Sequence, residues 1–301
     1  MNINEIVGNE KIKETLYKAV MSNTVLHSYL FTGIEGIGKK MMARAFAQMI
    51  LCENEKIKPC QICKPCLEFE NGNHPDFMQI EAEDRTIKIE QIRYMQEKIA
   101  EKPIVSSKKV YIIEDSDTMT KEAQNCLLKT LEEPPKYAII ILIATNESKL
   151  LNTIKSRCIK IPFQKIEDED ILKYMKERQN KDLTLEEVSL CEGSIAKAIG
   201  WEEKKELYTK VQNFVQTIDK MDLIDLWQKT EFLYKSKEEI FTVLEYMISI
   251  LYHSKEIRKL NCIAYVEDTK KRLLANSNYD MCLDNLLMKM WEEINEKYSR
   301  G

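Results

Sequence analysis

The sequence predicts an α/β domain built on a parallel sheet, followed by regions that are entirely helical. Short apolar runs alternate with helical periods in the first half of the chain, and strands that alternate with helices form parallel sheets covered by helices. After Pro162, the last proline, helix-forming residues continue with only three glycines among them, which is typical of helices alone. The four runs predicted as strands are Tyr29–Thr32, Phe77–Ile80, Val110–Ile113 and Ile139–Ala144.

We expect three domains. Residues 1–164 form the α/β domain, residues 165–203 a small helical domain closed by the turn at Gly193, and residues 204–301 a larger helical bundle. Apolar stripes at helical spacing, such as Leu283, Leu286 and Met290, predict a packed core for this bundle rather than a binding face.

Composition argues against two classes of protein. Lys and Arg number 45 against 49 Asp and Glu, a net charge of −4, so the chain is not a free-standing basic nucleic-acid binder. The longest aliphatic run, 138–144, is far shorter than the roughly 20 residues of a membrane span. The first residues carry charges where a secretory signal needs an apolar stretch. We therefore expect a cytoplasmic protein without a membrane partner.

A glycine-rich segment after the first predicted strand has the spacing of a phosphate-binding loop. Gly33, Gly38 and Lys39 fit the pattern G-x-x-x-x-G-K between a strand and a helix, where backbone N–H groups and the lysine bind phosphate oxygens. The next residue is Lys40 instead of the Ser or Thr that holds Mg²⁺. We expect no ATP hydrolysis, while binding of ATP or ADP without turnover, or a tight turn without any ligand, stays open.

The third predicted strand ends in two acidic residues. In a working NTPase, an Asp at the strand end supports Mg²⁺ and a neighbouring Glu orients the attacking water. Here Glu114 comes first and Asp115 second, which changes the reach of both side chains. A degenerate metal-binding motif and a simple acidic cluster both fit this segment, and the nearby phosphate loop favours the first.

Four cysteines predict a structural zinc site. Cys52, Cys60, Cys63 and Cys66 have the spacing C-x7-C-x2-C-x2-C, and four thiolates suit tetrahedral Zn²⁺ with no open position for catalysis. An iron–sulfur cluster is the competitor, but no further cysteine follows at ferredoxin spacing. His74 can in principle replace one thiolate, although its place in a turn requires no metal. The other five cysteines are expected as buried small residues.

A single arginine follows the fourth predicted strand. Arg157 lies in the segment Ser156-Arg157-Cys158. An isolated arginine is by default an ordinary surface charge. In an ATPase-like domain it can instead complete the ATP site of a neighbouring subunit, because an arginine supplied in trans stabilises charge on the γ-phosphate.

Taken together, these segments resemble bacterial clamp-loader subunits of the AAA+ class, and most closely the delta-prime family of DNA polymerase III. The resemblance rests on the order of HSYLFTG, the glycine loop, the four cysteines, HPDF, KVYIIEDSDTM, LLKTLEEPP, ATN and SRC, within about residues 7 to 200. It implies an AAA+ P-loop domain with a zinc module at about 52–66, a helical lid and a C-terminal helical collar for oligomerisation.

The resemblance also implies a function and partners. Five such subunits, including delta and gamma/tau, form a ring that opens the sliding clamp and places it on primed DNA. The delta-prime member does not hydrolyse ATP and is no enzyme on its own, since polymerase activity belongs to the holoenzyme. Its SRC arginine, Arg157 here, projects into the nucleotide site of a neighbouring ATPase subunit.

Departures from the related gamma/tau ATPase pattern favour delta-prime. That relative keeps Ser or Thr at the position of Lys40 and an arginine sensor at the position of Ala196. Lys197, one residue further on, is a doubtful substitute. Two alternatives stay open: an active AAA+ ATPase, either gamma/tau-like or another DNA motor, and a zinc-dependent DNA-binding regulator, which the net charge disfavours.

Overall fold

The computed structural model describes residues 3–295. The chain divides into two compact units between Ala198 and Ile199. The predicted boundaries of the small helical domain, at 165 and 203, stay a prediction, since the division separates the chain into two parts rather than three.

The first unit contains a five-stranded parallel sheet within the described residues. Its strands lie in the order β2-β3-β4-β1-β5, and adjacent strands pair in register, as Leu30 does with Leu142. All residues of β1, β3 and β4 are buried. The strands are β1 Ser28–Thr32, β2 Phe77–Ile80, β3 Lys109–Ile113, β4 Ala138–Ala144 and β5 Ile159–Pro162.

Four of these strands confirm the predicted apolar runs, whereas β5 was not predicted. It is an edge strand that pairs only with β1 in the described part of the chain. Its pattern is mostly exposed and it ends in a proline. An edge strand packs one side less than a central strand does, so its sequence lacks the continuous apolar run that marks the others.

Helices cover the sheet and extend beyond it. The helices up to the division, within the described residues, are α1 Glu10–Met21, α2 Lys39–Leu51, α3 Lys64–Glu70, α4 Ile89–Ala100, α5 Lys121–Glu132, α6 Asn152–Lys155, α7 Asp168–Gln179, α8 Leu185–Ser189 and α9 Ile195–Ile199. Helix α2 is buried along most of its length, and Phe46 packs edge-on against Tyr29 of β1 with ring centroids 5.2 Å apart. Helix α5 begins where the Thr120 side chain accepts a hydrogen bond from the backbone of Ala123 and so caps the helix.

The second unit is helical throughout its described part. Its helices are α10 Trp201–Thr217, α11 Leu223–Lys235, α12 Ile240–His253, α13 Ile257–Leu274 and α14 Tyr279–Ile294. The stripe Leu283, Leu286 and Met290 is buried, which confirms that it forms core. No helix within residues 3–295 combines the length and the apolar character that crossing a membrane requires.

Candidate functional site

The phosphate loop connects β1 to α2 at the carboxyl edge of the sheet. Gly38, with φ 89°, precedes the first turn of α2 in the left-handed region. Lys39 is buried, and its Nζ donates hydrogen bonds to the carbonyl oxygens of Gly33 and Ile34, each at 2.6 Å. Burial lowers the pKa of Lys39, although the nearby acids Glu35, Asp115 and Asp117 act in the opposite direction. Lys39 is therefore satisfied by the loop itself, and a phosphate would have to displace these bonds.

The tip of the loop packs against the segment before α9. Gly36 has a φ of 78°, and a Cβ placed there would lie 2.1 Å from Ser194 Oγ and 2.7 Å from the Cβ of Ala196. The backbone N–H of Ala196 also donates to the Gly36 carbonyl at 3.3 Å. At the position where the resemblance implies an arginine sensor, the chain therefore places the small side chain of Ala196 against the loop.

Lys40 forms ion pairs at the position expected for the metal-binding hydroxyl. Its Nζ lies 2.7 Å from Glu114 Oε2 and 3.1 Å from Glu81 Oε1. Burial raises the pKa of Glu114, against the opposing effect of Lys40. For Lys40, burial acts to lower the pKa, but its bonds to the two glutamates prevail and raise it. An ammonium donates hydrogen bonds and cannot be a metal ligand, so these residues do not fit Mg²⁺ bound as in a hydrolysing P-loop.

Asp115 is oriented differently from Glu114. Its backbone has a φ of 42°, and its carbonyl accepts hydrogen bonds from the N–H and the hydroxyl of Thr118 at 2.7 and 2.8 Å. Its carboxylate acts to raise the pKa of Lys39, while Glu114 pairs with Lys40. The structure thus brings together the predicted residues Gly33, Gly38, Lys39, Glu114 and Asp115 at one edge of the sheet.

A cavity of about 310 Å³ lies near the loop. Ile6, which lines this cavity, also lies 3.3 Å from a Cβ built on Gly38. The remaining lining includes charges of both signs, among them Lys13 and Asp170. Ile6 thus connects this cavity to the loop, but no residue of the loop itself lines it.

The four predicted zinc ligands converge. One sulfur from each of Cys52, Cys60, Cys63 and Cys66 lies within 4.8 Å of all the others. Sulfurs bound tetrahedrally to zinc at about 2.3 Å would be about 3.8 Å apart, close to the 3.9 Å between Cys52 and Cys63. The backbone N–H groups of Cys60 and Cys63 each donate to a neighbouring cysteine sulfur at 3.4 Å. Distances and donor chemistry both fit a zinc ion.

The electrostatics of the cluster differ from one thiol to another. Burial acts to raise the pKa of Cys60, but backbone N–H donors at Ile62 and Cys63 outweigh it and lower the pKa to about 6. Burial raises the pKa of Cys52 and of Cys66. Burial therefore opposes ionisation of the Cys52 and Cys66 thiols, while backbone donors favour the thiolate of Cys60. A divalent ion bound to the four sulfurs would favour the thiolate form of each cysteine.

His74 has other partners. Its Nδ1 accepts the backbone N–H of Asp76 at 3.0 Å, so its Nε2 carries the proton and donates to Ser106 Oγ at 3.1 Å. Ser106 in turn donates to the carbonyl of Leu51, the last residue of α2, at 2.8 Å. Burial lowers the pKa of His74. Both ring nitrogens are thus used in linking loops to the end of α2.

Arg157 lies at the opposite edge of the sheet from the phosphate loop. Its carbonyl accepts a 2.6 Å hydrogen bond from Ser28, the first residue of β1, whereas Gly33 follows the last residue of β1. Five strand residues separate the two edges by about 15 Å. The guanidinium pairs with Glu132 Oε1 at 2.6 Å and donates to the Thr153 carbonyl at 2.8 Å. It is one-third exposed and remote from the loop of its own chain.

Several contacts at these sites were not predicted from the sequence, among them those made by Glu81, Ser194 and Glu132. For Glu81 the sequence did contain a signal, because it follows β2 as Glu114 follows the neighbouring β3. The other two contacts join segments remote in sequence and carry no pattern.

Comparisons with known proteins agree with this architecture. A model of the family described as DNA polymerase III, delta subunit, matches residues 8–167, more than half of the chain. Subunit delta-prime of DNA polymerase III from Bacillus subtilis is 38% identical over 161 residues, which are 54% of this chain and 49% of that protein. Subunit tau from the same organism is 36% identical over 192 residues, 64% of this chain and 33% of that protein. The chain thus spans about half or less of the length of these curated relatives.

A solved structure of a DNA polymerase III gamma subunit-related protein from Thermotoga maritima has a similar fold. It superposes with a TM-score of 0.53 at 20% identity and covers 93% of this chain and 99% of its own. This similarity confirms the predicted α/β class with a helical C-terminal part. Because the family model matches more than half of the sequence, the chain belongs to the DNA polymerase III delta subunit family of clamp-loader subunits.

Proposed function

We propose that this chain is the delta-prime subunit of the DNA polymerase III clamp loader. It joins delta and gamma/tau subunits in a five-membered ring that loads the sliding clamp on primed DNA. It hydrolyses no ATP itself and is an accessory subunit, because polymerase activity belongs to the holoenzyme. Residues 165–203 serve as the lid and residues 204–301 as the collar that holds the ring together.

The observation that carries this proposal is the separation of Arg157 from the phosphate loop of its own chain. The arginine and the loop occupy opposite edges of one sheet, so Arg157 cannot reach a nucleotide bound by its own loop. An adjacent subunit is the remaining place for it to contact a phosphate. The engagement of Lys39 and Lys40 by the chain itself further supports a subunit that serves the site of a neighbour.

Arg157 is held in a way that permits its release. In its pair with Glu132, the arginine side chain is about one-third exposed and the glutamate about one-half, and exposed ion pairs contribute only about 0–1 kcal/mol. A triphosphate carries more charge than one carboxylate, and the guanidinium fork matches two phosphate oxygens at once. We therefore infer that the γ-phosphate of ATP bound to a neighbouring subunit displaces Glu132 and binds the guanidinium of Arg157. The arginine then stabilises the charge that develops during hydrolysis.

Zinc is assigned a structural role in this proposal. Cys52 follows the last residue of α2 and Cys66 lies in α3, so a bound ion would join the end of the phosphate-loop helix to the following module. Four thiolates leave no open coordination position for substrate or water.

The test is the ATPase activity of a loader reconstituted from full chains, stimulated by clamp and primed DNA. Arg157→Ala is expected to reduce the hydrolysis rate at one neighbouring site by a factor of about 10³–10⁵. Total turnover should therefore fall by the fraction of turnover that this site contributes. Arg157→Lys should recover little, because lysine lacks the planar fork. The matched control is Lys160→Ala, which breaks another surface pair of 2.6 Å, to Glu147.

Unchanged turnover with Arg157→Ala in an intact complex would contradict the trans role. ATP hydrolysis by the isolated chain, lost on Lys39→Ala, would instead support a gamma/tau-like ATPase or another AAA+ motor.

A further inference from the structure

We propose that Lys40 is a built-in replacement for a metal ion, supplying from within the chain the positive charge that the acidic edge of the sheet requires. The site is then electrostatically complete without Mg²⁺ and nucleotide. This inference deepens the proposed function and rests on it for its biological meaning, because a subunit that only serves a neighbour needs no nucleotide-dependent state of its own.

The acidic edge follows from strand pairing. Strands β2 and β3 are parallel neighbours, and Ile80 pairs with Ile113 as each strand ends. The next residues are Glu81 and Glu114, and the N–H of Glu114 donates to the Ile80 carbonyl at 2.9 Å. Two carboxylates brought to the same edge repel one another unless a cation lies between them. Lys40, in the first turn of α2, bonds to both.

Glu114 depends on this cation more than Glu81 does. Glu114 as a whole residue is only 8% exposed, whereas the side chain of Glu81 is 59% exposed. Its Oε2 lies 2.7 Å from Lys40, and its buried Oε1 has no hydrogen-bond partner among the residues that the structure describes. A carboxylate with so little access to water and one charged partner is strongly destabilised when that partner is removed.

The same geometry disagrees with a bound Mg²⁺. Mg²⁺ requires oxygen ligands in octahedral geometry, and a P-loop provides one of them as the hydroxyl that follows its lysine. At this position the chain has an ammonium, which already contacts the acid that would support the ion. The cation that joins α2 to the ends of β2 and β3 is therefore part of the polypeptide, and it stays in place whether or not nucleotide is present.

A double-mutant cycle on the full chain tests the pairing, with thermal unfolding measured by calorimetry. Lys40→Met should lower the unfolding temperature by about 4–8 °C, because it leaves the buried carboxyl group of Glu114 without its charged partner. Adding Glu114→Gln to Lys40→Met should recover most of that loss, since an amide needs no counter-charge. The matched control is Lys98→Met, which breaks the exposed pair with Glu101 at 2.9 Å and should shift the temperature by less than about 2 °C.

A second arm replaces the ammonium by a metal ligand and uses Mn²⁺ alone as the probe. Lys40→Thr should become more stable as Mn²⁺ is added, whereas the wild-type chain should not respond. Equal losses for Lys40→Met and Lys98→Met, or Mn²⁺ stabilisation of the wild type equal to that of Lys40→Thr, would overturn the inference. Neither result bears on Arg157, so failure here is distinguishable from failure of the trans role in the loader assay.

Discussion

Helix α2 has a cluster of potential ligand residues at each end, and the two clusters differ in whether the chain itself supplies a cation. At its carboxyl end, four cysteine sulfurs converge within 4.8 Å of one another. At its amino end, Lys39 bonds to loop carbonyls and Lys40 to two glutamates. One end therefore offers four converging thiols to a metal ion, and the other contains its own cation.

The difference shows how a site can lose a ligand without losing its architecture. The glycine loop, the strand end and the helix start are all retained, so a motif search detects a phosphate site. With Lys40 at the position where a P-loop has its metal-binding hydroxyl, the acidic edge contacts a cation that belongs to the chain. Retained geometry alone is therefore a poor guide to activity.

The largest expected effect comes from removing a cysteine ligand. Cys66→Ser should reduce bound zinc from about one ion per chain to nearly none, and should lower the free energy of unfolding by about 5 kcal/mol or more, because structural zinc contributes directly to folding. Elemental analysis of the purified full chain measures the first effect and denaturant unfolding the second.

Cys126→Ser is the matched control for this experiment. Cys126 donates to Gln96 at 3.2 Å, a bond that a serine hydroxyl can keep, and it lies outside the cluster. Zinc that survives Cys66→Ser, or that is lost equally from Cys126→Ser, would remove the assignment of the carboxyl end of α2 as a zinc site.

A smaller effect should follow from filling the space at the tip of the phosphate loop. Gly36→Ala is expected to cost about 2–4 kcal/mol, because the new Cβ meets Ser194 and Ala196 and the φ of 78° disfavours any side chain. Gly72→Ala has a similar φ of 74° but no atom within 4 Å, so it should cost only about 1–2 kcal/mol. Urea denaturation compares the two, and equal losses would mean that the loop is not closed by Ser194.

The smallest effect concerns pH at the carboxyl end of α2. Burial lowers the pKa of His74 in the folded chain, so the folded state resists a proton that the unfolded state accepts below about pH 6.5. The contribution of neutral His74 to the free energy of unfolding should be fully present above that pH and should decrease as pH falls towards the folded pKa. The slope is at most about 1.4 kcal/mol per pH unit for one proton. His74→Gln should flatten this slope between pH 7 and 5.

Much of the architecture was predictable because burial marks a sequence strongly. The runs that became β1, β3 and β4 are mainly apolar because both faces of the sheet are covered. Strand β5 escaped prediction because its exposed edge allows Lys160 and Pro162. Regular spacing also exposed the glycine loop and the cysteine cluster, whose ligands are local in sequence.

Contacts between remote segments were not predictable. Position 40 indicated loss of a metal ligand, but the pair with Glu114 depends on how α2 packs against β3. The contact between Arg157 and Glu132 depends on where α5 ends relative to β5. Ser194 reaches Gly36 across more than 150 residues of sequence. Such contacts are fixed by tertiary packing, and no periodicity in a single sequence encodes them.

The central claim is that this subunit serves the nucleotide site of a neighbour and forms no metal-dependent nucleotide site itself. Isothermal titration of Mg²⁺-ATP into the isolated full chain tests it most directly. We predict no saturable, Mg²⁺-dependent heat at ligand concentrations up to about 1 mM. A Kd of about 1 mM corresponds to a binding free energy of about −4 kcal/mol. One-to-one binding in the micromolar range, abolished both by EDTA and by Lys39→Ala, would contradict the account.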